Sequence, residues 1–191
     1  MLNRLTIRTF FAVDLVAKPI LNKIAKIQRD LDVPDSRIVF VAPENLHYTM
    51  KFLGDIEEAV VPELQKAAEK ITFEPFTLEL KGMGCLPSFS YINALYVGAT
   101  KGTEELRIIA NELDQMCTKF NVKKEKRSFT AHLTIGRVKR IQDKNLLVTK
   151  IRGYAEELFG EITVNAVQFK KSVRTPQGPI YTKLFEITAQ E

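Results

Sequence analysis

At 191 residues, with 45% apolar and 27% charged residues, the chain has the composition of an ordinary single globular domain. It contains no 18-residue apolar run, which argues against a membrane-spanning helix. Its net charge of +5 favours an anionic partner over a cationic one.

The opening segment Met1–Arg8 interleaves Arg4 and Arg8 with apolar residues and lacks the unbroken apolar core of a signal peptide. Arg8–Asp14, rich in aromatic and β-branched residues, predicts a strand. Ile20, Ile24, Ile27 and Leu31 recur at helical spacing and predict a helix over 17–31, broken by Pro34-Asp35-Ser36. Ile38–Val41 reads as a short strand and Pro43-Glu44-Asn45 as a turn. A strand over 46–53 follows, which Gly54 is expected to end. Asp55 and Glu58 have the spacing of a capping box. The helix they would open is marked by Val60, Leu64, Ala67, Ala68 and Ile71.

Strands are predicted over 76–82 and 91–98, with Gly82–Pro87 as a loop between them. Leu106, Ile109, Ala110, Leu113, Met116, Cys117 and Phe120 step by three or four and mark a third helix. The Met and Cys on that stripe read as core filler. Cys85 and Cys117 form no C-x-x-C pair, so two reduced, buried thiols in a cytoplasmic protein are expected. Lys123-Lys124-Glu125-Lys126-Arg127 is the densest charge run. After it come a strand over 129–138, a short helix over 143–151, and strands over 161–171 and 180–188 joined by Thr175–Pro179.

The two histidines of the chain share one setting: Leu46-His47-Tyr48-Thr49-Met50 and Ala131-His132-Leu133-Thr134-Ile135. With 15 threonines in the chain, chance would place Thr two residues after both histidines roughly 0.6% of the time. In a strand, residues i and i+2 face one side. Each motif therefore sets an imidazole beside a hydroxyl on a polar ledge. Strand, turn and helix follow each motif, which suggests two similar lobes that each lend a ledge to a shared cleft.

Two imidazoles with ordinary pKa values near 6.5 can divide the work of general base and general acid. The threonine hydroxyls can donate to phosphoryl oxygens. Arg137 offers a fixed charge and a planar donor fork, though its strand parity is opposite to that of His132 and only a bend at Gly136 would bring it in. Lys51 shares the parity of His47 and Thr49 and is expected on the same ledge. Two histidines without a cluster of Cys, Asp or Glu are too few for a zinc site, so no metal is expected. No G-x-S-x-G nucleophile elbow is present. Phe10, Phe11, Tyr48 and Phe129 lie near the motifs and could stack a base, but core packing is their commoner use. If the basic run lines the cleft mouth, Lys51, Lys123, Lys124, Lys126, Arg127 and Arg137 would favour an oligonucleotide over a mononucleotide.

At these residues the chain resembles the 2H phosphoesterase superfamily, and within it the RNA 2′,3′-cyclic phosphodiesterases, or 2′-5′ RNA ligases of the LigT/ThpR type. Arg8–Leu15 resembles the opening strand of that family. Pro43–Gly54 and Phe129–Arg137 resemble its two signatures, and Ser172 with Thr175–Tyr181 its closing segment. Met50 and Ala131 depart from the usual Leu and Pro. The resemblance implies an α+β fold of two intertwined lobes, with antiparallel sheets and outer helices around a central cleft, in one domain over 1–191. It implies hydrolysis of RNA 2′,3′-cyclic phosphate ends to 2′-phosphate without a cofactor, by a monomer, with possible reversible 2′-5′ ligation. His47 and His132 would be catalytic, with His47 on the 3′-oxygen side. Thr49, Thr134 and Arg137 would hold the phosphate. A non-catalytic module that binds nucleotide or RNA phosphate is the alternative, and it has less use for two proton carriers.

Overall fold

All nine strands found among the described residues belong to one antiparallel sheet, in a computed structural model that describes residues 5–190. Met1–Arg4, part of the N-terminal segment read above, lie outside the described residues. The strands are β1 (Thr6–Asp14), β2 (Arg37–Phe40), β3 (His47–Glu57), β4 (Phe76–Ser88), β5 (Tyr91–Ala99), β6 (Leu133–Arg140), β7 (Leu158–Val164), β8 (Ala166–Thr175) and β9 (Gly178–Thr188). The helices are α1 (Lys18–Asp30), α2 (Val61–Ala68), α3 (Thr103–Thr118) and α4 (Lys144–Gly153).

The sheet falls into two halves. One runs β3-β1-β8-β9 and the other β6-β5-β4-β7, with β2 added beside β6. The halves meet where Tyr48 of β3 pairs with Leu133 of β6. Helices cross over. α1 follows β1 of one half yet packs beneath β6 and β7 of the other, while α3 follows β5 and packs on β3. The reason lies in the apolar faces. Ile20, Ile24 and Ile27 of α1 and Leu106, Ile109, Leu113 and Cys117 of α3 are buried on single stripes. Cys85 and Cys117 are both free and buried, and burial pushes the Cys117 thiol up to about 12.

Four expectations are corrected. Gly54 does not end its strand, because at φ +74° it lies within β3, which continues to Glu57. Asp55 accordingly pairs with Arg8 in the ladder and caps nothing, and α2 begins at Val61 without a side-chain cap. Gly82–Pro87 is not a loop. Gly82, at φ +76°, sits in a register shift of β4, and Gly84 leaves room for the Tyr96 ring, whose hydroxyl would stand 2.5 Å from an added Cβ. The run 161–171 is two strands. The chain leaves β4's partner β7 and joins β1's partner β8 across Asn165, so it changes half-sheets there.

Candidate active site

His47 opens β3 and His132 stands one residue before β6, so both lie at the joint between the halves. Tyr48 and Leu133 point into the core. Their neighbours therefore face the opposite side. Extending the antiparallel register by one residue sets His47 level with Thr134 and Thr49 level with His132. The imidazoles are thus diagonal neighbours on one face, with backbones about 7–8 Å apart. His47, Thr49, His132, Thr134 and Arg137 line one pocket of about 260 Å³.

Each imidazole is oriented by a main-chain carbonyl two residues earlier. His47 Nδ1 donates to the Asn45 carbonyl at 2.7 Å, and His132 Nδ1 donates to the Thr130 carbonyl at 2.8 Å. A carbonyl only accepts, so each Nδ1 carries the hydrogen and each Nε2 is the ring nitrogen left for chemistry. Phe10 and Tyr181 flank His47 at ring distances of 5.0 and 5.4 Å, and Tyr96 stands edge-on to His132 at 6.0 Å. Burial holds the His47 pKa below the usual imidazole value. The Asn45 carbonyl and Asp14 oppose the shift, while Lys170 and Arg137 add to it. Asp14 and Lys170 are themselves paired, at 2.7 Å.

Two β-bulges decide which charged residue reaches the pocket. In β6 the register against β5 slips at Ile135, so Arg137 regains the face of His132 and Thr134. The Ile135 carbonyl accepts from the Val41 amide at 2.9 Å and from Gln28 Nε2 at 2.9 Å. Buried Gln28 also donates to the Val41 carbonyl at 2.9 Å, so it clamps the bulge. In β3 the register against β1 slips at Met50. That slip sends Lys51 to the helix side and puts Phe52 on the pocket side instead. Lys51 is therefore not on the ledge expected for it. It is buried, and its Nζ meets Asp114 Oδ1 at 2.7 Å, the Lys123 carbonyl at 2.9 Å and Glu125 Oε1 at 3.1 Å. Both bulges fall three residues after a histidine, so Phe52 and Arg137 are equivalent positions of the two halves.

Of the aromatics weighed for stacking, Phe10, Phe11 and Tyr48 are buried, whereas Phe129 is half-buried and faces a groove beside the pocket. Asn45, Phe52, Tyr181, Phe40 and the Asp14–Lys170 pair complete the surroundings, and motif spacing alone did not point to their place there. Among the described residues, no carboxylate lines the pocket. Among them too, Thr49, Thr134 and Arg137 make no hydrogen bond or ion pair with protein groups through their side chains. One unpaired guanidinium, two hydroxyls and two Nε2 atoms around a carboxylate-free pocket have the chemistry that suits an anion beside proton carriers. Among the described residues, no group of three or more His, Cys, Asp or Glu is placed to hold a metal ion.

The architecture matches solved structures along nearly its whole length. Escherichia coli LigT complexed with 3′-AMP superposes with a TM-score of 0.79 at 23% identity, covering 98% of this chain and 100% of that one. A Thermus thermophilus protein gives 0.79 at 22%, covering 95% and 97%. These likenesses define a LigT-like fold. The profile of the LigT like Phosphoesterase family matches twice, over residues 13–96 and 97–181, and the chain belongs to that family. Each match carries one His-x-Thr motif and takes in strands of both half-sheets, β3 and β4 in the first and β6 and β8 in the second. The RNA 2′,3′-cyclic phosphodiesterase of Archaeoglobus fulgidus is 38% identical over 93% of this chain and 97% of its own. Its namesake in Methanocaldococcus jannaschii is 35% identical over 94% and 99%.

Proposed function

We propose that this protein hydrolyses the 2′,3′-cyclic phosphate at RNA 3′ ends to a 2′-phosphate, as the names of its relatives indicate for them. The observation that carries the reading is the unpaired Arg137 in a pocket without carboxylates, facing two histidines whose Nδ1 atoms are both tied back. Water attacks phosphorus in line with the leaving 3′-oxygen. Nucleophile and leaving oxygen then stand about 4 Å apart, and each needs a proton carrier about 3 Å away. His132 Nε2 takes the proton from water as the new P–O bond forms. The P–O3′ bond breaks, and His47 delivers a proton to O3′. Burial makes the His47 proton more acidic than that of a free imidazole, and the charge of the bound phosphate favours keeping it loaded. Thr49, Thr134 and Arg137 hold the non-bridging oxygens.

A 5′-hydroxyl in the place of water would form a 2′-5′ linkage by the same displacement. The halves act as one catalytic domain, because each supplies one histidine and one threonine. The test is turnover of adenosine 2′,3′-cyclic phosphate in the presence of EDTA. Release of the 2′-phosphate product supports the reading. Binding without turnover would instead favour a module that only holds the phosphate. Loss of turnover on chelation, restored by zinc or manganese, would overturn the two-histidine account.

A further inference from the structure

A second concavity, of about 460 Å³, adjoins the histidine pocket and shares Thr49, Phe52 and His132 with it. Its walls are α3, through Asn111 and Asp114, and the segment from Lys124 to Thr130. It is the more open of the two. Its charges sort into two groups. Asp114 and Glu125 are both engaged by Lys51, and Asp114 Oδ1 also accepts from the Glu125 amide at 3.0 Å. Lys124, Lys126 and Arg127 have no ion pair among the described residues. The Lys51 network thus absorbs the carboxylates, pins the basic segment beside His132 and leaves three cations for something outside the protein. Two aromatic faces accompany them. Phe52 is 53% exposed and Phe129 is half-buried.

We propose that this groove is a second nucleotide subsite, which seats the nucleotide on the 5′ side of the cyclic-phosphate end. The inference rests on the phosphodiesterase reading of the neighbouring pocket. A cyclic-phosphate terminus continues into its strand through the 5′-oxygen of the last ribose. With the terminal nucleotide in the pocket between β2 and Tyr181, the groove is the open space next to it, past the shared Thr49, Phe52 and His132, and offers the strand a way out. The next backbone phosphate needs a cation, and the next base needs an apolar face. Exposed cations with aromatic platforms are the usual means of holding single strands without reading sequence.

The experiment compares adenosine 2′,3′-cyclic phosphate with adenylyl-adenosine 2′,3′-cyclic phosphate, at several salt concentrations. The expected kcat/KM is about tenfold higher for the dinucleotide at low salt. That advantage falls as salt rises, by about 0.7 log units per log salt for each phosphate contacted. In the Lys126→Glu, Arg127→Glu double variant, and separately in Phe129→Ala, the ratio of the two kcat/KM values falls towards one. Equal kcat/KM for both substrates in the unaltered protein overturns the subsite, as does a ratio that neither variant changes. If neither substrate turns over, the phosphodiesterase reading fails and takes the subsite with it. Turnover of the mononucleotide with no dinucleotide advantage overturns the subsite alone.

Discussion

Tyr48 and Leu133 face each other across the residue pair that joins the two half-sheets, and each directly follows a histidine. The joint of the fold is therefore the floor of the site. Flanking residues are exchanged across it, so that each imidazole stands opposite the other half's threonine. A shift of one half against the other would first change the gap between the two Nε2 atoms.

That reciprocity makes the histidines a unit. His47→Ala and His132→Ala each lower kcat by about 10²–10⁴-fold. The double variant loses less than the product of the two. A substrate whose leaving 3′-oxygen is replaced by sulfur separates the roles, since a thiolate departs without a proton. Steady-state rates should show His47→Ala largely rescued on this substrate and His132→Ala not. Rescue of His132→Ala instead would exchange the assignments.

Gln28 touches neither the histidines nor Arg137 but holds the bulge that aims the guanidinium. Gln28→Leu keeps the size and removes both donors. Its expected signature is a rise in KM for the cyclic mononucleotide of about tenfold with kcat much less affected, as for Arg137→Ala. The lost hydrogen bonds also cost about 1–3 kcal/mol of stability. A loss of stability with KM unchanged would show that Gln28 supports the fold without positioning Arg137.

Lys51 gives the opposite profile. Lys51→Met leaves the Asp114 carboxylate buried without its ion pair, at a cost of about 3–5 kcal/mol in denaturant unfolding. Lys51→Met with Asp114→Leu recovers much of that stability. Because Lys51 does not line the histidine pocket, KM for the mononucleotide should change little while the protein is folded. A KM effect equal to that of Arg137→Ala would place Lys51 on the phosphate after all.

The lowered pKa of His47 has a sign in stability as well as in binding. The unfolded chain protonates this imidazole near pH 6.5. The folded protein does so only at lower pH, so the unfolded state binds more protons in between. The contribution of His47 to stability is complete above about pH 6.5 and is lost as pH falls towards the folded value. Thermal melts should therefore decline more steeply with acid for the unaltered protein than for His47→Asn. Binding a 2′-phosphate product should raise the His47 midpoint seen by NMR, because the anion favours the charged ring. A midpoint at or above the ordinary value in the free protein would contradict the buried setting.

The residues of the candidate site were legible because they are written twice. His47, Thr49, His132 and Thr134 announce themselves by a repeated spacing, and strand parity correctly places each pair on one ledge. Parity then fails at the same step in both halves. It assigns Lys51 to the pocket and doubts Arg137, because an alternation rule cannot see a register slip at Met50 or Ile135. Gly82 and Gly84 misled for a related reason. One sits at a register shift of a strand and the other clears a path for Tyr96, roles that look like a loop when read locally. Gln28 gave no signal of its own. Its partners are 13 and 107 residues away, and only the assembled sheet brings them to it.

The crossing of α1 and α3 has a consequence for dividing the chain. A cut in the turn at 100–102 would give a first piece lacking β6 and the α3 cover of β3, and a second piece lacking β1, β4 and β5. Each piece would hold one histidine and an uncovered apolar face. Neither should fold or react by itself, but mixing them should restore both covers at once. Activity would then appear only on reassembly, with second-order onset, and the molecule would behave as a natural split reporter.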